Sequence, residues 1–160
     1  MGQQQLLLVI LVTIIVGIAT VVAINTFGTA ADQANIDAVT NDVATLASAA
    51  QGFYMRPEML GGGGRTFDGL SFHGLAFPAN AIDGVGEVAQ NENGRYVLSG
   101  TDGQSFTITA HPSSCNGYAP GAITEVTDGP NTLDGGSDCD EEDRIIADVS
   151  PNDFDLDPSL

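Results

Sequence analysis

The sequence predicts an α+β chain in which one long N-terminal helix, apolar in its first half, packs against a small, mostly antiparallel β-sheet domain. Three observations predict it. Leu6 to Ile24 (LLLVILVTIIVGIATVVAI) runs 19 residues without a charge, broken in character only by Thr13, Gly17 and Thr20. Ile36, Val39, Val43, Leu46 and Ala50 then follow at spacings of three and four, one apolar stripe at helical period. From Arg65 onward the pattern changes to short segments of period two, separated by Gly, Asp and Asn.

At 1.5 Å rise per residue the first segment makes roughly 28 Å of helix, close to the ~30 Å of bilayer hydrocarbon. A helical threonine returns its hydroxyl to a carbonyl one turn back, so Thr13 and Thr20 are compatible with an apolar surrounding. The head Met1-Gly-Gln-Gln-Gln carries no basic residue, and the apolar run is longer than a secretory signal core, which argues against a cleaved signal peptide of the usual kind. No proline occurs between Gln3 and Gln51, and Gly28 is the one weak point, costing about 1 kcal/mol relative to alanine. One helix from about Gln3 to Ala50, roughly 70 Å long, is the simplest reading, with Gly52 as its stop. The organisation expected is residues 1–51 as the long helix (apolar half 6–24, amphipathic half 28–51) and residues 52–160 as a β-rich acidic domain.

The chain carries 21 acids against four arginines and no lysine, a formal charge of -17. The only charges in residues 1–51 are Asp32, Asp37 and Asp42, leaving -14 for the remainder. Nucleic acid is excluded as a partner, because a phosphate backbone needs a basic face. A lysine-free, aspartate-rich surface also suits high salt, where repulsion is screened. Cys115 and Cys139, two cysteines downstream of an export segment, are expected to form a disulfide, worth about 3 kcal/mol in chain entropy.

In the second half, Arg95–Gly100 and Gln104–Ala110 are the clearest strands, joined as a hairpin through Thr101-Asp-Gly, with Val97, Phe106 and Ile108 expected to face the helix. Thr66–Leu75, Val85–Ala89, Ala122–Val126 and Arg144–Val149 are further strand candidates. Phe53 and Tyr54 are expected to cover the end of the helix stripe, and Gly61–Gly64 to form a turn or a close backbone approach. That glycine run has neither of the phosphate-loop signatures.

This layout resembles the type IV pilin superfamily: pilins, pseudopilins, and the archaeal pilins and flagellins built on the same helix. The resemblance is carried by the polar head Met1–Gln5, the run Leu6–Ile24, the amphipathic continuation to Gln51, and the stretch AAQGFYMRPEMLGGGGRTFDG, covering roughly the first 75 residues. It implies a structural subunit of an extracellular filament, a major pilin, made as a precursor in the cytoplasmic membrane. A prepilin peptidase trims it, and an assembly ATPase and a platform protein transfer it from the membrane into a homopolymer.

The polymerisation core would be Leu6, Leu7, Leu8, Val9, Ile10, Leu11, Val12, Ile14, Ile15, Val16, Ile18, Val21, Val22 and Ile24. The helix–sheet seam would be Ile36, Val39, Val43 and Leu46. Gln3, Gln4 and Gln5 are candidates for hydrogen bonds between subunits. The bacterial pattern of a Glu at the fifth mature position is missing: Gln5 stands there if Met1 is first, Leu7 if cleavage follows Gly2. Archaeal-type members also lack that Glu. A minor pilin or pseudopilin, or a single-pass membrane-anchored calcium-dependent adhesion domain, are the rival readings.

Asp128 to Asp157 holds eleven acids against Arg144. Asp138, Asp140, Glu142, Asp153, Asp155 and Asp157 are the Ca²⁺ candidates, since alternating carboxylates supply oxygens that Ca²⁺ accepts. The glycine and terminal glutamate of a full calcium loop are misplaced, so a solvated acidic face is the plainer reading and no cofactor is required. Catalysis has no support. His73 and His111 are isolated, and no haem-attachment, metal-ligand or nucleophile spacing occurs.

Overall fold

A computed structural model describes residues 2–101, 103–115, 118, 139–140 and 143–158. The fold is α+β. Helix α1 runs Gly2–Met55 and a 3₁₀ turn spans Glu58–Leu60. The strands are β1 (Ala81–Ile82), β2 (Val88–Gln90), β3 (Gly94–Ser99), β4 (Phe106–Pro112), β5 (Ile145–Val149) and β6 (Phe154–Pro158). They form one antiparallel sheet in chain order, a meander in which each strand pairs with the next. The chain divides into two compact units, one ending at Ala34 and one beginning at Asn35. The first unit is helix alone. The second contains the rest of α1 and the sheet.

In the second unit, Val39, Val43, Leu46, Ala47, Ala50 and Phe53 are buried, and Ile36 packs partly buried against the same cluster. Their spacing places them on one side of α1. The sheet meets them with Tyr96 and Leu98 of β3, Phe106, Ile108 and Ala110 of β4, and Ile145, Ala147 and Val149 of β5. Cross-strand register stacks these side chains in rows, Leu98 opposite Ile108 opposite Ala147 opposite Leu156. Tilted and edge-on ring contacts at centroid distances of 4.9–5.0 Å complete the core, Tyr54 with Phe67 and Phe67 with Phe106 toward the helix end, and Phe77 with Tyr96 on the Asp42 side.

Four local expectations are corrected. Helix α1 does not stop at Gly52. It continues to Met55, because Phe53 must reach the core and the first real obstacle is Pro57. The strand parity in β3 is the reverse of that expected: Tyr96 and Leu98 face the helix, while Val97 lies on the other face opposite Val88 and Thr109. Thr66–Leu75 is not a strand but a run of turns that buries Phe67, Leu70, Phe72 and Leu75 without ladder bonds. Of Val85–Ala89 only the last two residues are strand, inside β2. Strands β1 and β6 are additional, and Ala122–Val126 lies outside the described residues.

The glycine run has a definite task. The amides of Gly63 and Arg65 donate to the carbonyls of Phe53 and Tyr54 at 3.0 Å, capping the end of α1 together with the Arg56 amide, which also reaches the Phe53 carbonyl at 3.2 Å. A Cβ on Gly63 would overlap the Thr66 carbonyl and one on Gly62 the Arg56 backbone, so the chain can fold back this tightly only with glycine.

Two substitutions test the seam. Leu46→Ala lowers the stability of the folded domain by about 2–5 kcal/mol through a buried cavity. Ile36→Ala, at the partly exposed margin, costs clearly less. Urea unfolding of the detergent-held full chain, followed by a domain tyrosine signal, reads both.

Candidate assembly surface

Fourteen large apolar side chains between Leu6 and Ile24 are each 48–68 % exposed, and Phe27, just beyond them, is 77 % exposed. The run Leu6–Val12 is unbroken over nearly two turns, so every direction around the helix is apolar. The polar groups in this half are turned inward onto the helix. Thr13 donates to the Ile10 carbonyl and Thr20 to the Val16 carbonyl, both at 2.8 Å, and Thr26 donates to the Val22 carbonyl at 2.9 Å. Gly17 and Gly28 leave open notches, with nothing within 4 Å of where a Cβ would stand. Gln3, Gln4 and Gln5 are exposed at the head. By length and composition this helix is able to cross a membrane, as a membrane-anchored precursor requires.

Moving fourteen half-exposed Leu, Ile and Val side chains from water to an apolar surrounding is worth on the order of 20 kcal/mol. That exceeds the 5–15 kcal/mol or so of net stability typical of a whole domain. The segment therefore does not persist in water as a bare helix.

In the domain, the polar contacts of α1 are made by four residues, Asn35, Asp42, Gln51 and Tyr54, whose hydroxyl donates to Gln104 Oε1 at 2.7 Å. Asn35 donates to the Asn93 carbonyl at 2.9 Å and accepts from the Ser114 amide at 3.1 Å. Asp42 Oδ2 accepts from Asn91 Nδ2 and Asn93 Nδ2 at 2.9 Å and from the Tyr96 hydroxyl at 2.7 Å. Gln51 Nε2 donates to the Ser150 carbonyl at 3.2 Å. Burial and the Asp42 carboxylate both push the Tyr96 phenol well above its ordinary range, so it remains a hydrogen-bond donor. Asp42 was not singled out by the sequence. Its place seven residues after Asn35, on the same flank of the stripe, is the one hint the sequence contains.

On the opposite face of the sheet Arg95 and His111 are cross-strand neighbours and both are buried. The Arg95 guanidinium lies 5.9 Å from the centre of the Tyr118 ring. Cys115 and Cys139 form a disulfide with Cα atoms 5.7 Å apart. Burial, then the charges of Arg95 and Arg144, lower His111 to about 4.

Of the Ca²⁺ candidates, Asp138 and Glu142 fall outside the described residues. Asp155 and Asp157 point outward from edge strand β6, with Asp153 just before it and Asp140 exposed elsewhere. Among the described residues no three His, Cys, Asp or Glu side chains gather closely enough to hold a metal ion. A cleft of about 480 Å³ beside the helix end is lined by Tyr54, Met55, Arg65, Pro151 and Asn152, a set with no nucleophile–base pair.

No family model, curated protein or solved structure matches the chain.

The buried imidazole gives a pH prediction. An unfolded histidine takes up a proton near pH 6.5, whereas folded His111 resists until about pH 4. Its contribution is complete above pH 6.5 and is lost as pH falls toward 4, by about 3 kcal/mol. In His111→Gln the stability difference between pH 7 and pH 4 shrinks by about that amount relative to the native chain, measured by denaturant unfolding at the two pH values.

Proposed function

We propose that this chain is the major structural subunit of an extracellular filament of the type IV pilus kind, in which Leu6–Ile24 of many copies pack together as the core. The observation that carries the reading is the division of labour within α1. Its second half buries one stripe in its own domain, while its first half is apolar on every side and exposed. A one-sided stripe needs one partner, and the chain supplies it. An all-round apolar surface needs partners on all sides, and copies of the same helix provide them in a bundle.

On this reading the membrane is the precursor's station. Exchange of lipid for neighbouring helices gains little from hydrophobicity, since both surroundings are apolar, and the difference comes from packing and hydrogen bonds. Transfer then calls for external work, which is the place of an assembly ATPase and a platform protein, after a prepilin peptidase has acted on the head. Gln3–Gln5 would make neutral hydrogen bonds between subunits where a carboxylate is lacking. Once water is outside, the order-of-20 kcal/mol burial per copy keeps the fibre from dissolving.

The test is the protein content of fibres sheared from the cell surface. A major subunit is their dominant protein, a minor subunit is a trace component, and an anchored adhesion domain is absent from them and stays with the membrane. Gly17→Leu sharpens the distinction. Leucine is welcome in lipid, so the membrane-bound precursor keeps its amount. In a packed bundle the added bulk costs about 1–3 kcal/mol per copy, and the yield of fibres falls at least tenfold. Unchanged fibre yield in Gly17→Leu contradicts a core built on this surface.

A further inference from the structure

We infer that the loop from Met55 to Arg65 is a second docking surface, which binds the acidic β5–β6 edge of another copy of this chain; the inference rests on the filament reading. Outside Leu6–Ile24, the exposed large apolar side chains among the described residues are Phe27, Met55, Met59, Leu60 and Val85, and three of the five fall between Met55 and Leu60. Met59 is 98 % exposed.

The same loop carries Arg56 and Arg65, both exposed. Arg95 is buried, Arg144 is half-buried and the chain has no lysine, so this loop holds the exposed cations of a protein charged -17. Arg65 adopts φ 75°, a conformation glycine takes more readily, directly after four glycines. Its backbone is occupied, the amide on Tyr54 and the carbonyl on Gln104, while its guanidinium extends outward without a described partner.

The complement starts beside this loop on the same molecule, where Met55 and Arg65 share a cleft with Pro151 and Asn152 of the β5–β6 turn, and continues away from it along β5 and β6. Asp148 of β5 and Asp155 of β6 are directly opposite in the ladder, on the face turned away from α1. Like charges so placed repel, and only Asp148 has a described side-chain donor, the Thr107 hydroxyl at 2.7 Å. Asp148, Asp153, Asp155 and Ser150 line a cleft of about 200 Å³, of a size for one arginine head. Asp157, also exposed, extends the acidic row along β6, the last strand of the sheet among the described residues. A guanidinium from outside relieves the Asp148–Asp155 repulsion with bidentate hydrogen bonds, and the exposed methionines supply adaptable apolar contact around it. A patch that fits a different patch on the same chain makes a heterologous contact, which propagates into an open helical array rather than closing on itself.

The test uses full-length chains assembled into filaments. Two versions are co-expressed, one with Met59→Cys and one with Asp155→Cys, and the fibres are treated with a short bis-thiol crosslinker. Covalent dimers of the two versions are expected, at least fivefold above a control with Ser99→Cys in place of Asp155→Cys. Adding Arg56→Glu and Arg65→Glu to the first version lowers the dimer yield at least fivefold, and Asp153→Arg with Asp157→Arg in the second restores it. If the arginine reversal abolishes fibres altogether, their return with the acid-to-arginine partner supports the contact and their continued absence overturns it. Normal fibres with a dimer yield at the control level, or indifferent to charge reversal, overturn the docking and leave the filament reading standing. A native chain that forms no fibres overturns both.

Discussion

The constraint on which the rest depends is an apolar helix with no bare side. Residues 6–24 offer Leu, Ile and Val in every direction, and their exposure to water is worth more free energy than a domain of this size normally has in reserve. Everything else about the segment agrees with an existence away from water. It has no charge, its threonines bond back to its own carbonyls, and its backbone is satisfied by the helix itself. Lipid and a bundle of like helices both satisfy that demand, and they differ in what they ask of shape. Lipid tolerates notches such as Gly17. A bundle fills them.

The second half of α1 solves a narrower problem. One stripe is covered by the sheet, and the flanks are tied by Asn35, Asp42 and Gln51 to the ends of the strands. Asp42 is the firmest of these ties, because one carboxylate oxygen receives two carboxamides and a buried phenol. The glycine run performs the same service at the helix end, returning the chain so that its amides cap the last carbonyls. The sheet is thereby fixed to the stretch of α1 from Asn35 to Met55.

How much of this was legible depended on the range of the signal. The apolar run, the stripe at Val39, Val43 and Leu46, and the β3–β4 hairpin are local periodic patterns, and the sequence displays them directly. Parity in β3 was not readable, since Tyr96 and Leu98 on one side and Val97 on the other are all acceptable core residues. What decides is the Tyr96 hydroxyl reaching Asp42, 54 positions away. Strand β6 has a clean alternation, Phe154 and Leu156 inward against Asp155 and Asp157 outward, but the density of acids there reads as a solvated tail. The helix end was misplaced because glycine tolerates a helix when its neighbour, here Phe53, has a core to fill. The turn region after Thr66 buries four large apolar residues without regular ladder bonds, which no period announces.

Photo-crosslinking from within the apolar half of α1 tests the central claim most directly. With a photoreactive side chain in place of Ile15 in the full chain, in native surface material, the account predicts adducts joining residues 6–24 of one copy to residues 6–24 of another. Adducts to lipid alone, with no copy-to-copy product in any cell fraction, would contradict it.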